Sequence, residues 1–278
     1  MKIAILYIAL GRYTIFWDEF YNTTKYLFPS HTKKIFLWTD NIEESFANAP
    51  DVEKIFTQKR GWPFDTLYRF DLFLDKRDTL LESDYIFFFN ANTKVMSYCG
   101  DEMLPNDSND GLVTASHPAF YDKTPDKFTY ERNPLSTAYI PYGKGTHYAT
   151  GALNGGKSDA FLKMCEVCSH NIHIDYENGI IAQWHDESHL NRYLLDKNPL
   201  ILPVNYLYPE EPWMPRKWRN NNPFRDNIKI LSTNKKAYRF GGHDYLRGIT
   251  DEKLQPKKKK FFKKIQEMFK IIGKFFKI

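Results

Sequence analysis

Residues 3–10, Ile-Ala-Ile-Leu-Tyr-Ile-Ala-Leu, form an unbroken apolar run closed by Gly11 and Arg12. A run of this length ended by a turn residue predicts a strand buried on both faces. It is too short to cross a bilayer, and no small-residue cleavage site follows it. A helical pattern follows (Ile15, Phe16, Phe20, Tyr21, Leu27), then a second strand over 34–39 closed by Asp40-Asn41, and a third over Val52–Phe56. Gly61-Trp62-Pro63 punctuates the chain before a helix predicted from Thr66 to about Leu81. Tyr85-Ile86-Phe87-Phe88-Phe89 reads as a central strand buried on both faces, ending at Asn90-Ala91-Asn92. A strand over Gly111–Ala115, an amphipathic helix within 158–176 ending near His170-Asn171, and a late strand over Leu200–Val204 complete the pattern. Strand, helix, strand at this spacing predicts an α/β fold with a mostly parallel sheet and helices on both faces. Such sheets bind ligands at the carboxyl ends of their strands.

The chemistry is densest at Trp184-His185-Asp186-Glu187-Ser188-His189-Leu190-Asn191-Arg192-Tyr193, where an apolar run (Ile180, Ile181, Ala182) gives way to a helical pattern. Adjacent carboxylates repel, so one can be held by cations while the other faces a reacting carbon. An aromatic with histidines suits a sugar, supplying a flat apolar face and partners for hydroxyls. The alternative is a helix N-terminus at which Asp and Glu simply complement the macrodipole.

Several ordered blocks carry a resemblance: WHDESHLNRY, His117-Pro118-Ala119-Phe120-Tyr121, Phe128-Thr129-Tyr130-Glu131-Arg132, Ala138-Tyr139-Ile140-Pro141 and Gly155-Gly156. Over roughly residues 1–247 the chain resembles the glycosyltransferases that make the blood group A and B determinants and the α-1,3-galactosyl epitope, glycosyltransferase family 6. The resemblance implies a GT-A nucleotide-sugar fold. Asn90-Ala91-Asn92 stands where the mammalian members carry Asp-x-Asp, a departure that looks like the bacterial branch.

The resemblance also implies roles. Ile8, Ala9, Leu10 and Tyr13 match the loop that receives uridine, and Arg69 matches an arginine that reaches the donor. Thr150 and Ala152 match positions around C2 of the donor sugar, where glycine at the second leaves room for an N-acetyl group. One methyl discriminates by only about 1–3 kcal/mol, so Ala152 leaves both sugars open. Asp186 is expected to hydrogen-bond donor hydroxyls. Glu187 is expected to face the anomeric carbon opposite the leaving group, as a nucleophile forming a covalent intermediate or as a stabiliser of an oxocarbenium ion. His117, Thr129 and Trp184 fall on the acceptor side beside Glu187, and Glu131-Arg132 reads as a local ion pair.

Asn90 and Asn92, two apart on an extended chain, are expected to point the same way. Enzymes of this fold commonly place two aspartates there to hold a divalent ion against the diphosphate. Asparagine is a poor ligand for a hard cation, so no metal cofactor is expected. Basic side chains are expected to neutralise the leaving group instead, with Arg247 ranked ahead of Lys94 and Arg239.

Composition changes the picture in two places. The net charge of +5 is local: residues 257–278 carry nine lysines against Glu267, a net +8, leaving about −3 on the rest. No basic face is therefore implied on the folded domain, which argues against nucleic acid as a partner. In that tail Phe261, Phe262, Ile265, Met268, Phe269, Ile272, Phe275 and Phe276 fall at helical spacing opposite the lysines. This predicts a helix lying on an anionic membrane surface. Residues 1–250 are read as the transferase domain and 251–278 as the tail, with a cytoplasmic location at the inner face of a bacterial membrane. The anchor and stem of mammalian relatives are not expected. Three cysteines, Cys99, Cys165 and Cys168, suggest a reducing compartment, and Cys165-x-x-Cys168 lacks a second metal-binding pair at the usual distance.

The expected activity is retaining, metal-independent α-1,3 transfer of N-acetylgalactosamine or galactose from UDP to O3 of a fucosylated β-galactoside. The bacterial branch tilts the donor towards N-acetylgalactosamine, against the size of Ala152. The alternatives are a transferase specific for UDP-galactose, a sugar-binding module without catalysis, and a membrane scaffold organised around the tail.

Overall fold

The computed structural model of the chain describes residues 1–210 and 223–255. The expected tail helix, and most of the aromatic-rich stretch from Tyr206 to Trp218 with Asn220–Asn222, lie outside these residues. Strand β1 (Lys2–Ala9) leads through a 3-10 turn at Gly11–Phe16 into α1 (Trp17–Thr23), followed by β2 (Thr32–Thr39) and β3 (Val52–Phe56). The helix expected from Thr66 to Leu81 is three short ones: α2 (Phe64–Leu67), α3 (Arg69–Leu74) and α4 (Arg77–Leu80). Tyr68 and Lys76, at the starts of the last two, leave helical geometry.

Strand β4 (Tyr85–Phe89) and a short β5 (Thr93–Val95) precede β6 (Leu112–Ser116) and β7 (Ala149–Lys157). Helix α5 (Ser158–Glu177) runs a further two turns beyond the stop expected near His170. Helix α6 (Asp186–Leu194) is followed by β8 (Leu200–Leu202), β9 (Tyr208–Pro209), β10 (Ile230–Ser232) and α7 (His243–Arg247).

Seven strands make the main sheet in the order β3-β2-β1-β4-β7-β6-β8. Only β7 runs against its neighbours, so the sheet is mostly parallel, as expected. A small sheet of β5, β10 and β9 stands beside it. The alternation of β1 divides the core: Ile3, Ile5 and Tyr7 pack with Phe20, Phe87 and Phe89 on one face, and Ala4 and Leu6 pack with Trp38, Phe73, Phe88 and Phe161 on the other. Gly155 lets β7 lie close to β4, since a Cβ there would come within 2.6 Å of the Ile86 carbonyl oxygen. The carboxyl ends of β1 and β4 therefore open side by side, with β7 passing their mouth.

Candidate active site

A cleft of ≈ 320 Å³ opens at those strand ends. Ile8 and Leu10 from the end of β1, Tyr13 from the following turn, Asn90 and Ala91 from the end of β4, and Gly151 and Ala152 from β7 line it. The first turn of α6 contributes Asp186 and Glu187, and Lys235, His243 and Arg247 complete the lining.

The two adjacent carboxylates do separate. His185, immediately before α6, takes φ 54°, unusual for a residue with a side chain. Asp186 is buried and ion-paired with Arg69, which is buried as well. Arg69 Nη1 also donates to the Gly151 carbonyl at 2.8 Å, and its guanidinium lies 4.6 Å over the Phe88 ring. Burial lowers its pKa to about 10. Arg69 thus forms part of the cleft floor and fixes Asp186 from below.

Glu187 faces the other way. Oε2 accepts from the Gly151 amide at 2.7 Å and Oε1 from the Tyr148 hydroxyl at 3.0 Å. Asn191, one turn on, donates to the Glu187 carbonyl and exchanges both polar ends with the Ala149 backbone at 2.9 Å. Helix α6 is thereby tied to β7, and the carboxylate is held on two points. Burial and the Glu187 charge both raise the Tyr148 pKa, so the phenol remains a donor.

Tyr148 connects Glu187 to His117 and Thr129, the residues expected on the acceptor side. Its ring meets His117 edge-on at 5.6 Å, and Thr129 Oγ1 donates to its hydroxyl at 3.4 Å. His117 Nδ1 accepts from the Ala119 amide at 3.1 Å, and burial lowers its pKa. The neutral imidazole therefore carries its proton on Nε2. Trp184 stands 45% exposed on the cleft wall, an indole face open to a ligand.

Several cations share the cleft. Arg247 lies 3.7 Å over the Trp62 ring and its Nε has no partner among the described residues. Burial, then the charges of Arg247 and Arg69, lower the Lys235 pKa to about 8. His243 falls to about 4 through burial, then Lys235 and Arg247. Like charges held this close disfavour one another, and an anion between them relieves that.

The structure brings Ile8, Leu10, Tyr13, Arg69, Asn90, Ala152, Trp184, Asp186, Glu187 and Arg247 onto one cleft. Other expected positions fall elsewhere. Ala9 packs into the core, because strand alternation turns it from Ile8 and Leu10. Thr150 is buried within β7, its hydroxyl accepting from the Ala152 amide at 3.1 Å. Asn92 does not point with Asn90: the strand ends at Phe89, the chain turns, and Asn92 Nδ2 donates to the Thr233 carbonyl at 2.6 Å and Ser232 Oγ at 3.1 Å. Lys94 pairs with Glu19 at 2.6 Å and Arg239 with Glu210 at 2.6 Å; neither lines the cleft. Glu131 and Arg132 do not pair with each other. Glu131 accepts from the Asn133 and Gln183 amides at 2.7 and 2.6 Å, and Arg132 donates to the Ile140 carbonyl.

Lys235, Lys59, His243, Tyr148 and Gly151 have no role in the sequence reading. No pattern distinguishes Lys235 from the surface lysines around it.

The chain is similar in sequence to known proteins. A profile of glycosyltransferase family 6 matches residues 1–238. The O-antigen biosynthesis glycosyltransferase WbnI of Escherichia coli is 34% identical over 212 residues, 76% of this chain and 89% of that protein. Histo-blood group ABO system transferase 2 of Rattus norvegicus is 39% identical over 132 residues, 48% of this chain and 37% of its own length. Globoside alpha-1,3-N-acetylgalactosaminyltransferase 1 of Gallus gallus is 30% identical over 234 residues, 78% of this chain and 63% of its own. The match therefore spans less than two thirds of either vertebrate relative. The chain belongs to glycosyltransferase family 6 and is a glycosyltransferase.

Proposed function

We propose that the protein is a retaining, metal-independent α-1,3-glycosyltransferase that moves N-acetylgalactosamine or galactose from UDP to O3 of a fucosylated β-galactoside. The observation that carries the reading is the position of Glu187, fixed by Gly151 and Tyr148, in a cleft that Lys235 and Arg247 also line. Uridine lies along Ile8, Leu10 and Tyr13. The diphosphate takes its place between Lys235 and Arg247, whose mutual repulsion it relieves. As the bond from C1 to the phosphate oxygen breaks, negative charge passes to UDP and positive charge builds on the sugar ring. Glu187 meets that positive charge on the opposite face. The acceptor O3 then bonds to C1 on the face that UDP leaves, its proton passing to the departing diphosphate oxygen, with His117, Thr129 and Trp184 on the acceptor side.

The residues at the end of β4 do not fit a divalent ion. Asn90 and Asn92 offer neutral amides, and Asn92 is turned away from Asn90 by donating Nδ2 to Ser232 and Thr233. No group of three His, Cys, Asp or Glu stands together among the described residues. No step is routed through a metal. Ala152 on the cleft wall admits either donor sugar.

The sequence of 257–278 supports attachment to an anionic membrane surface, on the cytoplasmic side. Among the described residues no helix is long and apolar enough to cross a membrane.

The test is transfer from UDP-GalNAc and UDP-Gal, side by side, to a fucosylated β-galactoside in excess EDTA. Transfer is expected to persist, and the donor ratio reports what Ala152 permits. Activity that returns only with manganese would overturn the metal-free reading. Silence in both conditions, with UDP still bound, would favour a sugar-binding module.

A further inference from the structure

Helix α7 is only five residues long, yet it delivers His243 and Arg247 to the cleft. Leu246 sinks into the core from its inner side. Its outer side and the following turn are gripped by one side chain from far earlier in the chain. Arg12 Nη1 donates to the Tyr245 carbonyl at 2.8 Å and to the Thr250 carbonyl at 2.6 Å. Nη2 pairs with Asp251, and the guanidinium lies 3.9 Å over the Tyr245 ring.

Arg12 itself sits between Leu10 and Tyr13, which line the same cleft. Its loop is held in turn by the Gly11 amide, which donates to Asp40 Oδ1 at 2.7 Å. A weaker second joint runs from Lys59 Nζ to the Arg247 carbonyl at 3.3 Å. The planar guanidinium reaches two carbonyls, a carboxylate and a ring at once, a set that a lysine, with one charged nitrogen, does not match.

We propose that Arg12 is a positioning residue whose guanidinium locks residues 243–251 onto the loop after β1, so that one joint sets Arg247 relative to Leu10 and Tyr13. The inference rests on the reading that Arg247 covers an anionic leaving group. Arg12 touches no part of that ligand and acts by presenting Arg247. Weakening the joint lets Arg247 leave the diphosphate while the Glu187 side of the cleft stays intact.

The experiment compares Arg12→Ala, Arg12→Lys, Arg247→Ala and the Arg12→Ala/Arg247→Ala pair by calorimetric UDP binding, donor KM and kcat, and thermal midpoint. Arg12→Ala is expected to weaken UDP binding by roughly tenfold, the order for lost charge-assisted hydrogen bonds, and to raise donor KM with acceptor KM unchanged. Arg12→Lys, which keeps a charge beside Asp251, should fall between Arg12→Ala and the parent. It also serves as the test if the alanine variant does not fold. The pair should bind UDP no worse than Arg247→Ala alone, because both act through one contact. Parent-like UDP binding by Arg12→Ala beside a weakened Arg247→Ala, or effects that multiply in the pair, would overturn the joint alone. Parent-like binding by Arg247→Ala would overturn the phosphate assignment and the joint with it.

Discussion

The main-chain amide of Gly151 donates to Oε2 of Glu187 at 2.7 Å. The same residue's carbonyl accepts from Arg69 at 2.8 Å, so one residue on β7 fixes both the Glu187 carboxylate and the cation paired with its neighbour. Glycine is required there by close approach. A Cβ would meet Arg69 Nη2 at 2.9 Å, Asp186 Oδ2 at 3.2 Å and Glu187 Cβ at 3.2 Å. Gly151→Ala is therefore expected to push α6 off β7. Overpacking of this kind destabilises by about 1–3 kcal/mol, read as a lower denaturant midpoint. Turnover should fall further than stability, because the displaced groups are the ones in the cleft. Unchanged kcat would detach Glu187 from the role given to it.

Arg69 and Asp186 form a buried pair, and removing one partner leaves the other charged without compensation. Arg69→Met and Asp186→Asn are each expected to lose about 3–5 kcal/mol of stability. Arg69→Met/Asp186→Leu, with both charges gone, should recover much of the stability in urea unfolding and none of the transfer activity. If the double variant is active, the pair serves only the fold.

Lys235 has its pKa lowered to about 8 by burial and then by the charges of Arg247 and Arg69. Its charge is then lost as pH rises through 8, so kcat/KM for the donor, which reports the free enzyme, should decline over pH 8–9. Bound diphosphate favours the charged form and should carry the limb in kcat to higher pH. Lys235→Arg is expected to flatten the alkaline limb in kcat/KM, and Lys235→Ala to lower the plateau itself. An alkaline limb that survives in Lys235→Arg would assign it to another group.

His189 lies buried on α6, and neither ring nitrogen has a hydrogen-bond partner among the described residues. Burial lowers its pKa to about 4, against a partial offset from Asp175, whose Oδ2 lies 3.8 Å from Nε2. The folded state thus binds the proton less readily than the unfolded chain. Stability is fully present above about pH 6.5 and is lost as pH falls towards 4, by up to about 1.4 kcal/mol per pH unit for this group. His243 and His117 shift in the same direction and add to the slope. Thermal midpoints measured between pH 7 and 4.5 should fall, and His189→Gln should shallow the fall. An identical pH profile in His189→Gln would exclude this histidine as the source.

The long-range order of the fold was legible because it rests on local pattern. Strands β1, β2, β3 and β4 follow from apolar runs closed by turn residues, and α5 from its periodicity. The segmentation of α2, α3 and α4 was not legible, since the residues at the breaks are ordinary helix residues and the breaks answer to packing. The reversed direction of β7 is likewise a property of its neighbours, with Gly155 and Gly156 permitting the approach.

For the site, the sequence by itself determined the chemistry: adjacent carboxylates at the start of a helix, amides in place of acids after the central strand, and the family blocks around them. Only the tertiary structure decided which carboxylate is buried against Arg69 and which is presented, because the two differ by their orientation on α6 and not by residue type. It likewise separated Asn90 from Asn92, since alternation predicts direction only while a strand continues, and this one ends at Phe89. Lys235, Tyr148 and Arg12 became visible for the same physical reason. Each acts on a group far away in the chain, and the distance across a folded core is not written in local spacing.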